Sequence, residues 1–156
     1  MASGVKPIPE EYRGATPYLC VDDGTRALGF YQKAFGAKEI MRMETPDGKI
    51  SHAEIRIGDA PIMLADEHPE VHFRSPRSIG GTPVNIVVYV NDVDALVKQA
   101  GAAGARVVRP PADQFYGDRI ATLEDPFGHS WSFATHIEDV SPEEMHKRAA
   151  AQPDSH

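Results

Sequence analysis

The sequence is poor in three features, and each absence excludes a class of protein. It holds one cysteine, Cys20, in 156 residues, so it can form neither an intrachain disulfide nor a thiolate metal cluster. Its 23 acidic residues outnumber its 16 Lys and Arg, which argues against nucleic-acid and acidic-membrane partners, because these need clustered basic residues. No run approaches the roughly 18 apolar residues that cross a bilayer, and the N-terminus lacks a signal-peptide pattern. We therefore expect a cytoplasmic protein of about one domain's length, with no membrane and no nucleic acid as partner.

An internal repeat organises the chain. In each half an apolar strand ends in Val and Asx residues, a helix follows, and a Gly-Ala pair opens the next extended run. Gly36 and Gly104 stand where a left-handed residue ends a helix. The candidate N-caps are Asp22 or Asp23 in the first half and Asn91 or Asp92 in the second. Three extended runs, separated by turn signals such as "PDGK" and "DPFG", complete each half.

The repeat predicts an α+β fold. We expect two tandem βαβββ modules that form curved mixed sheets around a concave pocket, followed by a C-terminal helix. Ser141, Pro142 and Glu144 have the pattern of an N-cap, a first helical residue and a capping box for that helix. The predicted boundaries are an N-terminal arm at 1–13, a first module at 14–67, a linker at 68–82, a second module at 83–138, and the C-terminal helix and tail at 139–156.

Alternation along the strands separates a packing face from a second face. In "HSWSFA", for example, Trp131 and Phe133 belong to the packing face, and Ser132 points the other way. The second face carries Tyr, Met, Asn, Ser and His rather than Lys and Glu, so we predict that it lines a ligand pocket. Ordinary solvent exposure of an antiparallel sheet is the alternative. The candidate ligand-binding residues on this face are Thr16, Tyr18, Met63, Asn85, Tyr89 and Ser132.

His52 and Glu54 form the strongest catalytic candidate. They project from one strand on the same face, and with Tyr116 they are the candidate acid–base groups. The same pair is the fallback metal site, although a hydrogen-bonded structural network is the commoner role for such a pair. His129 is interpreted as a turn residue, and His136 as a solvent-exposed residue of the tail.

The loop "DQFYGDR" has the composition of a ligand-binding loop. Gln114, Tyr116, Asp118 and Arg119 combine an amide, an aromatic ring, an acid and a guanidinium around Gly117. Arg can pair with a carboxylate or phosphate, and Tyr can stack on a flat ligand. The alternative is a tight hairpin in which Asp118 caps the turn and Arg119 pairs with a neighbouring acid.

These motifs carry a family resemblance. The repeat, with "VDD", "FYQKAFGA" and "DPFGHSW", resembles the vicinal oxygen chelate superfamily, which includes glyoxalase I, extradiol dioxygenases and bleomycin-resistance proteins. The segments "HAEIRIGDAPIMLADE", "DQFYGDR" and "ATHIEDVSPEEM" resemble its PhnB-like branch of glyoxalase-like proteins. The resemblance covers roughly residues 14 to 148, and it implies a homodimer.

The resemblance also bears on a metal. The metal-ligand positions of the superfamily's enzymes fall on Thr16, Met63, Asn85 and Ser132, and none of these is a His or a carboxylate. A divalent metal needs several nitrogen or oxygen donors, and Met is a poor ligand for it. We therefore expect no cofactor at the usual site, with a divalent metal at His52 and Glu54 as the alternative.

Three functions remain open. The first is a protein that binds a small molecule in a cleft without chemistry, as the bleomycin-resistance members do. The second is a lyase, isomerase or dioxygenase that uses an atypical metal or an acid–base pair from His52, Glu54 and Tyr116. The third is a non-catalytic structural dimer.

Overall fold

The computed structural model describes residues 4–153. Residues 1–3 and 154–156, which include His156 and the outer ends of the predicted arm and tail, lie outside the described residues. The chain divides into two compact units, Met1–Gly81 and Thr82–His156. Among the described residues, no helix is long and apolar enough to cross a membrane.

The first unit contains one four-stranded sheet with the strand order β1-β4-β3-β2. The pair β1–β4 is parallel, whereas β4–β3 and β3–β2 are antiparallel. A 3-10 turn at Glu10–Tyr12 precedes the sheet, and a second one at Pro69–Val71 follows it. The elements are β1 (Tyr18–Val21), α1 (Gly24–Phe35), β2 (Lys38–Glu44), β3 (Ile50–Ile57), β4 (Ala60–Asp66) and the short helix α2 (Pro76–Ile79).

The second unit repeats this plan with the strand order β5-β8-β7-β6. Again the first pair, β5–β8, is parallel and the others are antiparallel. The elements are β5 (Asn85–Tyr89), α3 (Val93–Ala103), β6 (Arg106–Asp113), β7 (Asp118–Glu124), β8 (Ser130–His136) and α4 (Pro142–Ala150). The predicted α+β architecture of two tandem βαβββ modules and a C-terminal helix is confirmed.

The matching helix ends explain why the two halves fold alike. Asp23 caps α1 and Asp92 caps α3, and each accepts a hydrogen bond of 3.1 Å from the backbone N–H three residues on. Such a cap contributes about 1 kcal/mol. Gly36 and Gly104 end the helices with φ of 68° and 119°, a left-handed conformation that other residues resist.

The motif "DPFGHSW" is a structural turn that anchors the core. Asp125, which is 2% exposed, accepts bonds from the backbone N–H groups of Phe127 (2.9 Å) and His129 (3.0 Å) through Oδ1. Its Oδ2 accepts a 2.9 Å bond from the indole N–H of Trp131. Trp131 is fully buried and stacks on Phe133, with ring centroids 6.2 Å apart. His129 therefore has a place in the turn, as its position before the strand predicts.

Candidate functional site

A row of side chains crosses the second face of the sheet in the second unit. Arg109 on β6 lies opposite Thr122 on β7, Thr122 lies opposite Ser132 on β8, and Ser132 lies opposite Val87 on β5. The hydroxyl oxygens of Thr122 and Ser132 are 3.0 Å apart and share a hydrogen bond. The centre of this face is therefore a hydroxyl pair beside a guanidinium.

A cavity of about 380 Å³ opens over this row. Gln114, Tyr116 and Ser132, which the sequence predicts as site residues, all line it. Arg109 and Thr122 also line the cavity, although the sequence pattern does not single them out. The lining consists of Arg109, Pro110, Ala112, Gln114, Tyr116, Ile120, Thr122 and Ser132.

The backbone of β6 explains the position of Arg109. The pairing of β6 with β7 shifts register on both sides of Arg109, at the "RPP" segment within the strand. Proline lacks the backbone N–H that a strand donates to its neighbour. It is tolerated here because β6 is an edge strand and the two prolines lie at a bulge. Bulges redirect side chains, so the alternation rule alone does not show which way this arginine points.

The cavity is rich in hydrogen-bond donors and has no acid in its lining. Among residues 4–153, the Arg109 guanidinium forms no ion pair, whereas Arg106 on the same strand pairs with Glu124. Burial raises the pKa of Tyr116, and the nearby Asp118 carboxylate raises it further. The Tyr116 hydroxyl therefore stays protonated at neutral pH and able to donate. These groups suit an anionic ligand.

Asp118 lies beside the cavity in a chain of polar groups. Asp118 is 6% exposed, and its carboxylate accepts a 2.6 Å bond from the Tyr89 hydroxyl and lies 2.8 Å from His136 Nδ1. The Nε2 atom of His136 lies 2.7 Å from Asp139. Both contacts, first with Asp118 and then with Asp139, raise the pKa of His136, while the Tyr89 hydroxyl and then His136 lower that of Asp118. His136 thus lies at the end of β8 and not in the tail, and both of its ring nitrogens are bonded. Its side chain is nevertheless about half exposed, so its predicted solvent exposure is confirmed.

Two further predicted residues make structural contacts away from the cavity lining. Arg119 projects from β7 on the opposite side from Asp118 and pairs with Asp94 of α3 at 2.8 Å and with Asp113 at 2.9 Å. This is the ion-paired alternative that the sequence left open. Asn85 donates a 2.8 Å bond to Ser130 at the start of β8.

The first unit carries a row of different chemistry at the same register. Met41, Glu54, Met63 and Tyr18 lie opposite one another across its four strands. Glu54 is only 4% exposed and accepts a hydrogen bond from the Tyr12 hydroxyl, which belongs to the 3-10 turn before the sheet. The N-terminal arm therefore covers the carboxylate that the sequence names as a candidate base.

His52 is held in the same unit by an aromatic partner. Its Nδ1 lies 2.7 Å from the Tyr18 hydroxyl, and the two ring centroids are 5.4 Å apart. Phe73 also packs against Tyr18 in an edge-to-face arrangement, with ring centroids 5.5 Å apart. Arg56 approaches Glu54 to 3.7 Å, so the His52–Glu54 pair sits inside a network of polar and aromatic contacts.

The side chains at the superfamily's metal-ligand positions do not fit a divalent metal. Thr16, Met63, Asn85 and Ser132 offer two hydroxyls, a thioether and an amide, whereas a divalent metal of this kind takes imidazole nitrogen or carboxylate oxygen. Within the part of the chain that the structure describes, no group of three or more His, Cys, Asp or Glu is placed to hold a metal ion.

Comparison with known proteins gives consistent matches. A model of the Glyoxalase/Bleomycin resistance protein/Dioxygenase superfamily matches residues 15–133. An uncharacterised protein of Mycobacterium bovis is 43% identical over 142 residues, which are 89% of this chain and 93% of that protein. A lactoylglutathione lyase of Arabidopsis thaliana is 29% identical over 112 residues, 71% of this chain and 40% of that protein. Among solved structures, TioX from Micromonospora sp. ML1 has a TM-score of 0.63 and 29% identity, over 80% of this chain and 100% of TioX.

Proposed function

The chain belongs to the glyoxalase/bleomycin resistance protein/dioxygenase superfamily, and on that premise we propose that it binds a small organic anion in the cavity of its second module, without a metal at the family's usual position. The observation that carries the proposal is the guanidinium of Arg109, which forms no ion pair with any of residues 4–153 and lines a cavity whose described lining contains no carboxylate. Of the superfamily's activities, this is closest to the ligand sequestration of bleomycin-resistance proteins.

The cavity residues supply complementary parts of a binding site. An arginine can bind a carboxylate or phosphonate through two parallel hydrogen bonds. The Thr122–Ser132 hydroxyl pair uses one O–H between its members and offers the other as a donor on the same row. Tyr116 offers a flat face for an aryl or apolar portion of the ligand. A cavity of about 380 Å³ lies within the range of small-molecule sites.

A matched pair of compounds tests this function. Phenylphosphonate carries a ring and an anion, whereas dimethyl phenylphosphonate has the same ring without the charge. Isothermal titration should detect binding of phenylphosphonate alone. Arg109→Ala should weaken that binding by about tenfold to a hundredfold, since a hydrogen bond to a charged group contributes roughly 1.5–3 kcal/mol.

Arg106→Ala is the control, because Arg106 is on the same strand but pairs with Glu124. It should leave the dissociation constant unchanged. Equal binding of the two compounds, or equal effects of the two substitutions, would refute the anion proposal.

An enzyme with an atypical site in the first unit is the second candidate. The bond between Tyr18 and Nδ1 of His52 favours it, because metal-ligating histidines are usually held through their other ring nitrogen. The similarity to a lactoylglutathione lyase supports a lyase or isomerase. Plasma mass spectrometry should decide: near-stoichiometric metal that is lost in a His52→Ala Glu54→Ala variant would establish this site, and metal well below one equivalent after reconstitution would exclude it.

We also propose that the chain forms a homodimer, as its superfamily resemblance suggests. Light scattering after size exclusion should give twice the chain mass over a tenfold range of concentration. A single-chain mass throughout that range would refute the dimer and, with it, the alternative of a purely structural dimer.

A further inference from the structure

The loop between β6 and β7 connects the cavity to the C-terminal helix. Gln114 and Tyr116 of this loop line the cavity. Phe115, which lies between them, lines a separate apolar groove of about 370 Å³ together with Met145 and other residues of the α4 region. The loop is therefore held between the cavity on one side and α4 on the other.

The strand end after β8 binds the backbone of this loop. The carbonyl oxygen of Gly117 accepts bonds from the backbone N–H groups of Ile137 (2.9 Å) and Glu138 (3.1 Å). The approach is so close that a Cβ atom on Gly117 would lie 2.1 Å from the carbonyl oxygen of Glu138, and Gly117 has φ of +99°. The segments "FYGD" and "THIED" are thus fitted to each other.

Arg148 of α4 completes the connection. Its guanidinium donates a 3.1 Å bond to the carbonyl oxygen of Phe115 and binds both carboxylate oxygens of Glu138, at 2.8 and 3.0 Å. Its Nε also donates to Glu144, one turn earlier in the helix, at 3.1 Å. One side chain therefore joins α4, the end of β8 and the middle of the cavity loop.

We propose that α4 is a latch that fixes the loop 114–117 in its ligand-binding conformation, with Arg148 as the positioning residue. The inference rests on the proposed function, because it assigns the loop a role in the same cavity. Arg148 does not line the cavity. It acts through the backbone of Phe115, whose two neighbours present the amide and the ring to the ligand.

The latch predicts a change in selectivity. Inorganic phosphate is small enough to bind Arg109 and the hydroxyl pair without the loop, whereas phenylphosphonate also needs the ring of Tyr116. Arg148→Ala should therefore weaken phenylphosphonate binding about three- to tenfold and leave phosphate binding unchanged. A loss of structure in the module would weaken both ligands.

The experiment uses the full chain and isothermal titration with both ligands. Lys147→Ala is the matched control, because it removes a positive charge from the same helical turn next to Arg148, and it should change neither affinity. Arg148→Lys should restore part of the phenylphosphonate affinity. Its ammonium can donate a hydrogen bond to the carbonyl oxygen of Phe115 but cannot form two parallel bonds with Glu138. Hydrogen exchange of residues 112–119 should be faster in Arg148→Ala than in the other proteins.

The outcomes separate the latch from the function on which it rests. Unchanged selectivity and unchanged exchange in Arg148→Ala would overturn the latch, whatever the affinity of the wild type. A second outcome is that the wild type binds neither ligand, while hydrogen exchange in Arg148→Ala is faster only in the loop. That result would support the latch as a structural element and refute the anion site.

Discussion

Replacement of Asp125 should test whether "DPFGHSW" is a structural motif. In Asp125→Ala three donors lose their acceptor at once: the backbone N–H groups of Phe127 and His129 and the indole N–H of Trp131. The indole is fully buried, so water cannot replace the lost partner without disturbing the core. Each unsatisfied buried donor costs about 1–3 kcal/mol. Because the three share one carboxylate, we expect a total loss of roughly 4–6 kcal/mol.

Asp125→Asn divides this cost. The amide oxygen can still accept the two backbone bonds, but its NH₂ group then faces the indole N–H, which is also a donor. We expect roughly half of the alanine effect, from this single mismatch. Trp131→Phe removes the indole donor, so the additional cost of Asp125→Asn should shrink in a Trp131→Phe background.

Urea denaturation followed by far-UV circular dichroism measures these free energies of unfolding. A total stability of about 5–15 kcal/mol is usual for a domain, so Asp125→Ala is expected to lie near the limit of folding and Asp125→Asn well within the measurable range. A loss below about 1 kcal/mol for Asp125→Ala would refute the account. It would show that the turn and the indole find other partners.

Two further predictions concern the second module. The Tyr89 hydroxyl and then His136 lower the pKa of Asp118, and Asp118 and then Asp139 raise that of His136. The stability that Asp118 contributes should therefore be lost progressively as pH falls below about 4, and the stability that His136 contributes as pH rises above about 6.5. The melting temperature of the wild type should thus fall below about pH 4 and above about pH 6.5. His136→Gln should abolish the decline above about pH 6.5, and a decline of the same steepness in the variant would contradict this. Gly117→Ala should unfold at lower temperature and bind phenylphosphonate more weakly, since an added methyl group collides with the facing backbone; unchanged affinity would contradict the fit between the loop and the strand end.

Local features of the fold were predictable from the sequence because each depends on a few neighbouring residues. The left-handed Gly36 and Gly104 are set within one helical turn. The N-caps were predicted to within one residue, and the structure places them at Asp23 and Asp92. Burial of Trp131 follows from alternation in a single strand. These signals, found twice at equal spacing, are sufficient to predict the repeated βαβββ plan.

The site was only partly predictable, because its key contacts join distant segments. Gln114 and Tyr116 were found from loop composition, but the hydroxyl pair of Thr122 and Ser132 depends on the register between β7 and β8, which the sequence does not display. The sequence also favours Arg119 over Arg109 as the ligand-binding arginine. The structure pairs Arg119 with acids and leaves Arg109 at the cavity, because a bulge in β6 sets its direction.

The two modules show why membership of the superfamily does not determine the chemistry here. The same four register positions hold Met41, Glu54, Met63 and Tyr18 in the first unit and Arg, Thr, Ser and Val in the second. In the first row, Met and Tyr side chains flank the carboxylate of Glu54, which the N-terminal arm covers. The second row is polar and donates hydrogen bonds. Since the backbone plan is shared, the difference lies in side chains alone, and function is carried by such positions rather than by the fold. An anion should therefore select the second row, and exchanging Thr122 and Ser132 for the Glu and Met of the first should eliminate its binding while the sheet is retained.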